Sequence, residues 1–500
     1  MSDLKRRMAQ GAAWMVLFRF VDRGIGLIGT LILARLLVPG DFGLMAMAMT
    51  IIAALDLLGA YNFETALIQN RNAERSHYDT AFTLNLLLAL LKALLMALLA
   101  HPAAVFYGEP RLEAVMLALA AASVLQGLEN IGIVDFQKEL QFDREFRLSL
   151  YRRLAGFVVT MVAAWWLGSY WALIIGITAM RAVGVALSFG MHPYRPRLTL
   201  QRWRELFGYT KWLLLNNVLI FLNNRGADFV IGRVSGSHAL GLYSVSYELA
   251  NLPTTELVHP IQRAMFPGYS QLADDPPRLR QTFLDVLGLI AILTVPIGLL
   301  IGALAEPFVL TLLGSQWVAA VPLVQLLSVF GVVRALHGPT GSIYLAMGRP
   351  RFIAYFALVQ LCISLSLMLW LVPRHGAIGA SWGILIGATA SMMVNYAMLS
   401  RQLSVSLSHV LAETWRPLLS GLLMYPVVHL VSQAWRPAFG PLSAAIELLC
   451  LGMLGLALYV ALIWAAWRSS GRPSGAETTL AAELRKRLLA ARLNAGRGQS

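Results

Sequence analysis

Apolar residues occur in long runs along this chain, and short segments containing Gly or Pro separate one run from the next. A helix of about 20 apolar residues crosses a hydrocarbon core of roughly 30 Å. Because such runs follow one another along nearly the whole chain, the pattern predicts an all-α membrane protein with about fourteen spanning helices. The predicted spans are residues 11–37, 41–67, 79–100, 111–134, 148–168, 170–190, 209–234, 239–265, 281–305, 318–346, 351–372, 376–400, 415–434 and 443–467.

The second half of the chain repeats the pattern that opens the first half. A shift of 198 positions (233 − 35) aligns Arg35 with Arg233 and Gly43 with Gly241. Both copies begin with a span that runs from inside to outside, so the repeat is parallel and implies a pseudo-two-fold axis along the membrane normal. We therefore predict an N-terminal lobe of six helices (1–190), a cytoplasmic amphipathic linker (191–210), a C-terminal lobe of six helices (211–400), two extra helices (401–467) and a basic cytoplasmic tail (468–500).

Composition and charge agree with a multi-pass membrane protein. Only 13% of the 500 residues are charged and 58% are hydrophobic, whereas soluble domains carry about 25% charged residues. The net charge is +14, and most of the 40 Lys and Arg residues fall on the side of the N-terminus in the predicted topology. This bias predicts that both termini lie in the cytoplasm. Nucleic-acid binding is not needed to explain the positive net charge, because no soluble basic domain is predicted.

Ionisable residues inside the predicted spans are the strongest functional signal. The first span carries Arg19, Asp22 and Arg23, and the two arginines share one helical face because they are four residues apart. Charges at this depth are costly and normally face a bundle interior or a hydrated cavity. The repeat-related spans one, two, seven and eight hold most of these charges, and those outside the first span include Asp56, Glu64, Arg225, Asp228 and Glu248.

A structural interpretation of the same charges stays open. The intramembrane charges could pair with one another and hold helices together, and Arg19 lies at a depth where contact with Asp56 is geometrically allowed. Lys92, Arg181 and Arg334 are isolated in their spans, so snorkelling or a local pair explains each of them as well as ligand contact does.

Motifs of soluble enzymes are missing or misplaced. The GxGxxG match at residues 24–29 lies inside a predicted span, where small residues serve close helix packing. No Walker A, HExxH or GxSxG motif is present. Cys362 and Cys450 lie in apolar runs and are predicted to be buried structural thiols. We therefore expect neither enzymatic activity nor a bound cofactor or metal.

The start of the chain resembles Wzx-type polysaccharide and O-antigen flippases, in the branch called lipopolysaccharide biosynthesis proteins. The resemblance is carried by GAAWMVLFRFVDRGIGLIGTLILARLLVPGDFGLMAMAMT, and most specifically by ARLLVPGDFGL with the later basic loop QNRNAERSHYDTAF. These flippases belong to the multidrug/oligosaccharidyl-lipid/polysaccharide exporter superfamily, whose two lobes and fourteen helices fit nearly the whole chain.

This resemblance implies a function, a location and a set of partners. It implies transfer of an undecaprenyl-pyrophosphate-linked oligosaccharide to the periplasmic leaflet of the bacterial inner membrane, by alternating access, for O-antigen, capsule or exopolysaccharide. Arg19, Arg23 and Arg225 would be the substrate-binding cations of the cavity. The expected partners are the lipid-linked oligosaccharide, membrane lipids, and polymerase and chain-length proteins of the pathway. The carboxylates that would couple transport to H+ or Na+, or pair with the cations, are Asp22, Asp56, Glu64, Asp228 and Glu248.

Three other functions stay in view. An ion-coupled multidrug exporter of cationic drugs needs a mainly acidic lumen, which the cavity arginines disfavour. A membrane-bound sugar transferase or polymerase needs a large loop or a soluble catalytic domain, and no predicted loop is long enough. A lipid II flippase handles a similar anionic lipid, and the sequence does not separate it from the first hypothesis.

Overall fold

The computed structural model describes residues 2–57, 63–70, 72–203, 211–435, 441–473 and 475–478. The chain is mainly helical through these ranges and contains no strand in them, which confirms the predicted all-α class. It divides into two compact units, Met1–Ser244 and Val245–Ser500. The predicted lobes instead meet at residues 191–210, and those lobe boundaries stay a prediction.

The first unit contains two closely packed helical pairs, α4 with α5 and α7 with α8. Short turns join the helices of each pair, and Gly108 (φ 66°) and Gly168 (φ 53°) supply the left-handed conformation that ends the first helix of each. The helices of this unit are α1 (Ser2–Leu36), α2 (Pro39–Asp56), α3 (Phe63–Gln69), α4 (Arg75–Tyr107), α5 (Arg111–Gly127), α6 (Val134–Lys138), α7 (Phe142–Leu167), α8 (Trp171–Met191) and the first part of α9 (Lys211–Ala250).

The second unit is built around α11, whose side chains Phe283, Leu287 and Ile290 are fully buried. A π-helical turn, Thr254–Val258, follows Pro253. After the end of α9 come α10 (His259–Gln271), α11 (Pro276–Ala303), α12 (Ala305–Leu312), α13 (Val321–His337), α14 (Pro339–Ala346), α15 (Arg351–Leu403), α16 (Leu407–Ala434) and α17 (Pro441–Ser469).

Many of these helices are long and apolar enough to cross a membrane. Among the described residues eight helices meet this criterion, and a pair bent by 60°, Arg111–Gly127 and Ile131–Lys138, makes a ninth if it forms one span. Non-helical residues also divide two of the helices, Gly236 (φ 80°, ψ −179°) in α9 and Gly376 (φ 56°, ψ −139°) in α15. The multi-pass architecture is confirmed, and the count of fourteen is not.

The cysteine prediction is wrong. Cys362 on α15 and Cys450 on α17 are free and exposed. Apolar residues of a membrane protein also cover its lipid-facing surface, as Trp166 with 80% exposure illustrates. An apolar sequence context therefore indicates membrane depth and does not by itself indicate burial.

The predicted basic tail is partly packed against the second unit. Gly475 and Ala476 are buried, and Glu477 pairs with Arg416 at 2.8 Å, with both side chains less than a tenth exposed. These four residues, 475–478, thus form a docked segment rather than a solvated one. The tail from residue 479 lies outside the described residues.

Candidate functional site

Two adjoining polar cavities lie inside the first unit. One, of about 220 Å³, is lined by Asp56, Glu64 and Lys92, and the other, of about 270 Å³, by Asp22, Arg153 and their neighbours. Both cavities reach Gln126 and Glu129, so the same side chains form part of both walls. The charged lining residues of the two cavities are Asp22, Asp56, Glu64, Lys92, Glu129, Arg152, Arg153 and Arg181.

Three ion pairs cross between helices in these walls. Lys92 of α4 donates to Asp56 of α2. Arg153 of α7 lies 3.0 Å from Asp22 of α1. The third pair joins Arg152 of α7 to Glu129, which follows α5, at 3.2 Å. Each pair ties together helices that are distant in sequence.

Two charged groups of the cavities make no ion pair. Glu64 lines the first cavity and Arg181 the second, and neither lies within ion-pair distance of an opposite charge among the residues described. The Asp22 and Arg153 side chains, which both line the second cavity, are 42% and 36% exposed. Solvated pairs of this kind exchange partners at low cost, in contrast to pairs sealed in a dry core. The walls can therefore accept an incoming anion at a guanidinium or a cation at a carboxylate.

The contact of Arg19 with Asp56, which depth in the membrane allows, does not form. Asp56 pairs with Lys92 instead, and Arg19 is exposed and forms no ion pair with any described residue. Equal depth in the membrane brings two residues to one level but does not determine which faces of their helices meet. Helix α4 packs against α2 and brings Lys92 to the carboxylate.

The other predicted cations and carboxylates fall in three places. Arg23 is partly buried on α1. Arg225 and Asp228 pair with each other on α9 at 3.2 Å, and Asp228, only 4% exposed, also accepts a hydrogen bond from the Thr50 hydroxyl at 3.0 Å. Arg225 is thus a partly neutralised cation. Glu248 lies in the second unit with an exposed side chain.

Arg334, isolated in sequence, has partners in the structure. Its guanidinium donates to the Tyr247 hydroxyl and lies 3.5 Å from the Asn251 side-chain oxygen. All three residues lie in the second unit, close to the π-helical turn after α9. The local polar contact weighed for this residue is therefore present.

Sequence reasoning missed Glu129, Arg152 and Arg153 as cavity residues. The two arginines fall near the inner end of a predicted span, where the charge bias predicts cytoplasmic residues. The signal that could have found them is their position within the apolar run 148–168.

The repeat-related glycines Gly43 and Gly241 pack directly against each other's helix. A Cβ atom on Gly43 would lie 1.7 Å from the Ser237 carbonyl oxygen, and one on Gly241 would lie 1.8 Å from the Pro39 carbonyl oxygen. The same shift of 198 that aligns the glycines aligns Pro39 with Ser237. The contact is therefore reciprocal, as a two-fold relation between the two copies predicts.

Ser237 also joins this contact to a charged turn. Its hydroxyl donates to Glu109 at 2.9 Å, and Arg111 donates to the same carboxylate through two nitrogens, at 2.8 and 2.9 Å. The hydrogen bonds from Arg111 hold the pKa of Glu109 below its ordinary value, against the opposing effect of burial. The helix ends are thus fastened at the turn between α4 and α5.

A bundle of membrane helices that encloses charged cavities is the architecture of a membrane transport protein. A solved structure of the lipid II flippase MurJ, in an inward closed conformation, matches with a TM-score of 0.69. The match covers 91% of this chain and 99% of that chain at 13% identity, which establishes a shared fold.

The chain belongs to the polysaccharide biosynthesis protein family, whose signature matches residues 32–322. It is 26% identical to the lipopolysaccharide biosynthesis protein WzxC of Escherichia coli K12, over 83% of this chain and 85% of the relative. It is 24% identical to the succinoglycan biosynthesis transport protein ExoT of Rhizobium meliloti, over 93% and 94%. The family resemblance found in the opening residues is thereby confirmed.

Proposed function

We propose that this protein is a flippase that transfers a lipid-linked oligosaccharide across the membrane for the synthesis of a surface polysaccharide. The observation that carries the proposal is the guanidinium-bearing cavity wall formed by Arg152, Arg153 and Arg181 in a member of this family. Relatives named for lipopolysaccharide biosynthesis and succinoglycan transport support the substrate class.

The chemistry of the substrate explains why such a wall is needed. A pyrophosphate-linked sugar is anionic and carries many hydroxyl groups, and each polar group that enters hydrocarbon without a partner costs several kcal/mol, on the order of 2–7. Guanidinium groups bind phosphate oxygens through two parallel hydrogen bonds and stay charged at all physiological pH values. Because Arg152 and Arg153 have carboxylate partners, a phosphate that binds them exchanges one anion for another.

Energy coupling is part of the proposal. Carboxylates that face a hydrated cavity can bind H+ or Na+ and so change the charge of the wall during the cycle. Glu64 is the candidate favoured by the arrangement, because no described cation lies within ion-pair distance of it, whereas Asp22 and Asp56 each have a basic partner.

The location proposed is the bacterial inner membrane, with both termini in the cytoplasm. The bias of Lys and Arg toward one side of the predicted topology supports this orientation. The pathway's polymerase and chain-length proteins are the proposed partners. Transport without covalent chemistry follows from the same proposal.

A deletion strain tests the proposal. Loss of the gene should abolish the surface polysaccharide and cause the lipid-linked oligosaccharide to accumulate on the cytoplasmic leaflet, and the intact gene should restore both. Arg181→Ala should complement poorly at normal membrane abundance, whereas Arg278→Ala, an exposed arginine of the second unit, should complement fully. Unchanged polysaccharide in the deletion strain would contradict the assignment.

A lipid II flippase is the second candidate, because the chain shares its fold with MurJ. The same deletion strain distinguishes this function from that of a surface-polysaccharide flippase. A lipid II flippase would produce a defect in peptidoglycan that expression of a known lipid II flippase corrects. A surface-polysaccharide flippase leaves peptidoglycan synthesis intact.

A further inference from the structure

The chain crosses one end of the first unit without regular secondary structure from residue 192 to 200 and begins to turn at residues 201–203; we call residues 192–203 the strap. Its backbone is held by the first turns of α4: the amide of Arg197 donates to Asp79 at 2.7 Å and the amide of Thr199 donates to Thr83 at 3.0 Å. The Tyr194 hydroxyl also donates to Asp79, a residue that is only 6% exposed. The strap therefore has a fixed inner side.

The outer side of the strap is apolar and unusually exposed. Leu198 is 71% exposed, Leu200 45% and Trp203 46%. Because the amides of Arg197 and Thr199 are already fixed to α4, these side chains cannot turn inward without breaking partly buried hydrogen bonds. If these side chains stay in water, the protein loses a stabilising free energy of about 25 cal/mol for each Å² of apolar surface that could be buried.

Cations alternate with these apolar side chains. Arg195 and Arg197 are exposed, and the Arg195 guanidinium is oriented by hydrogen bonds to the carbonyls of His192 (2.8 Å) and Tyr194 (2.9 Å). Arg202 lies farther along, 3.7 Å from Glu74. A mixture of exposed Leu and Trp with outward-facing Arg is typical of segments that lie in the headgroup region of a bilayer.

The position of the strap fits that layer. It lies where α4 begins and α8 ends, so it is level with helix termini rather than with their midpoints. Asn130, after the end of α5, donates to the Tyr194 carbonyl at 2.8 Å and marks the same level. Trp side chains at helix termini concentrate at the membrane–water interface.

We propose that the strap is a docking site for anionic phospholipid. Arg195 and Arg197 bind headgroup phosphates, while Leu198, Leu200 and Trp203 enter the boundary with the acyl chains. A phosphate group is also present in the lipid-linked substrate. The row of apolar side chains favours bulk lipid instead, because bulk lipid supplies a continuous apolar layer and a single substrate molecule does not. This inference needs the membrane fold and is independent of the proposed flippase activity.

Brominated lipids test the proposal on the purified protein in nanodiscs. Cys362 and Cys450 are first changed to Ser, and Leu200→Cys then carries a bimane fluorophore. We expect bimane quenching by brominated phosphatidylglycerol to exceed quenching by brominated phosphatidylcholine at equal bromine content. Ile386→Cys, an exposed position on α15, serves as a bimane site away from the strap.

Charge removal tests the role of the arginines. Arg195→Gln with Arg197→Gln should reduce the preference for phosphatidylglycerol at position 200 by about fivefold for each cation lost. The matched control, Arg278→Gln with Arg349→Gln, removes two exposed cations from the second unit and should leave the preference unchanged.

Two results would overturn the proposal. If bimane at position 200 is not quenched by either lipid, the strap stays in water and its apolar side is available to a protein partner. If both lipids quench equally and the Arg→Gln variant behaves like its parent, the strap contacts the bilayer without recognising anionic headgroups.

Discussion

Arg19 presents an exposed guanidinium on α1, and no described residue forms an ion pair with it. Arg23 lies about 6 Å further along the helix axis on the same face. We predict that Arg19→Ala and Arg23→Ala each slow export by about tenfold, the equivalent of one charge-assisted hydrogen bond of roughly 1.4 kcal/mol. Arg→Lys should restore part of the rate, because the charge is kept and the bidentate geometry is lost.

Abundance must be measured beside export in these variants. Since Arg19 supports no described ion pair, Arg19→Ala should reach the membrane at the level of the wild type. Normal abundance together with normal export in both alanine variants would remove the two arginines from the substrate path.

The Asp56–Lys92 ion pair is predicted to stabilise the fold, in contrast to Arg19 and Arg23, which are predicted to act in export. Lys92 is 14% exposed, so Asp56→Asn leaves a largely enclosed ammonium without its partner. We predict a loss of roughly 1–3 kcal/mol of stability and a lower membrane abundance. Exchanging the charges, Asp56→Lys with Lys92→Asp, should recover part of the abundance. If Asp56→Lys combined with Arg19→Asp recovers the abundance instead, Asp56 pairs with Arg19 in the membrane and not with Lys92.

At this scale the sequence indicates which residues are functional candidates and leaves their partners undetermined. The charges of α1, α2 and α9 stand out because each is expensive in an apolar run. The partners depend on helix rotation and neighbour order, which a single sequence does not encode locally. For this reason the sequence does not reveal that Asp56 pairs with Lys92 rather than with Arg19, or that Asp22 pairs with Arg153.

Among the elements, the crossing of α2 with the second part of α9 depends on two glycines. Gly43→Ala would place a methyl group 1.7 Å from a carbonyl oxygen and must push the helices apart. We predict a cost of about 1–3 kcal/mol, as for an overpacked core. A Gly40→Cys/Ser237→Cys pair measures the separation, because a Cβ on Gly40 would lie 4.0 Å from the Ser237 hydroxyl oxygen, the atom that a cysteine sulfur would replace.

The cross-link should form readily in the cysteine-free background and poorly when Gly43→Ala is added. Gly24→Ala is the control, since a methyl group there meets nothing within 4 Å. If alternating access requires this contact to open, the oxidised protein should not export and reduction should restore export. Equal cross-linking with and without Gly43→Ala would contradict the close packing described.

Element boundaries followed local chemistry where a glycine or proline was present. The turns at Gly108 and Gly168 lie at boundaries between predicted spans. The strap is different: its conformation comes from hydrogen bonds to Asp79 and Thr83, more than a hundred residues earlier in the chain. Local sequence patterns do not reveal long-range hydrogen-bond partners of this kind.

For the whole molecule, orientation is the first property to test. In a variant without native cysteines, probes at Gly108, Ser169 and Ser315 should react with an impermeant reagent from the periplasm. Probes at Ser76, Gln141 and Ser470 should react only after permeabilisation, because the positive-inside bias places them in the cytoplasm. Periplasmic labelling at Ser470 would overturn the even number of spans.

Coupling is the second property of the whole molecule. We predict that a variant with Asp22→Asn, Asp56→Asn, Glu64→Gln and Glu248→Gln loses the dependence of transport on an H+ or Na+ gradient. Amides cannot exchange a proton or hold Na+ as carboxylates do, so the wall charge stays constant. Asp274→Asn with Glu306→Gln provides a control elsewhere in the chain. Transport that stays gradient-dependent in the fourfold variant would locate the coupling elsewhere.

The strap has a consequence for the order in which this protein is made. Its anchors, Asp79, Thr83 and Asn130, are translated before α8, and the strap follows α8 directly. A ribosome that has passed Trp203 has therefore produced every residue that this fastening requires, while none of the second unit exists. Since units of a large chain fold as they are synthesised, the helices from α4 to α8 can be secured by their own connecting segment before any later helix is made.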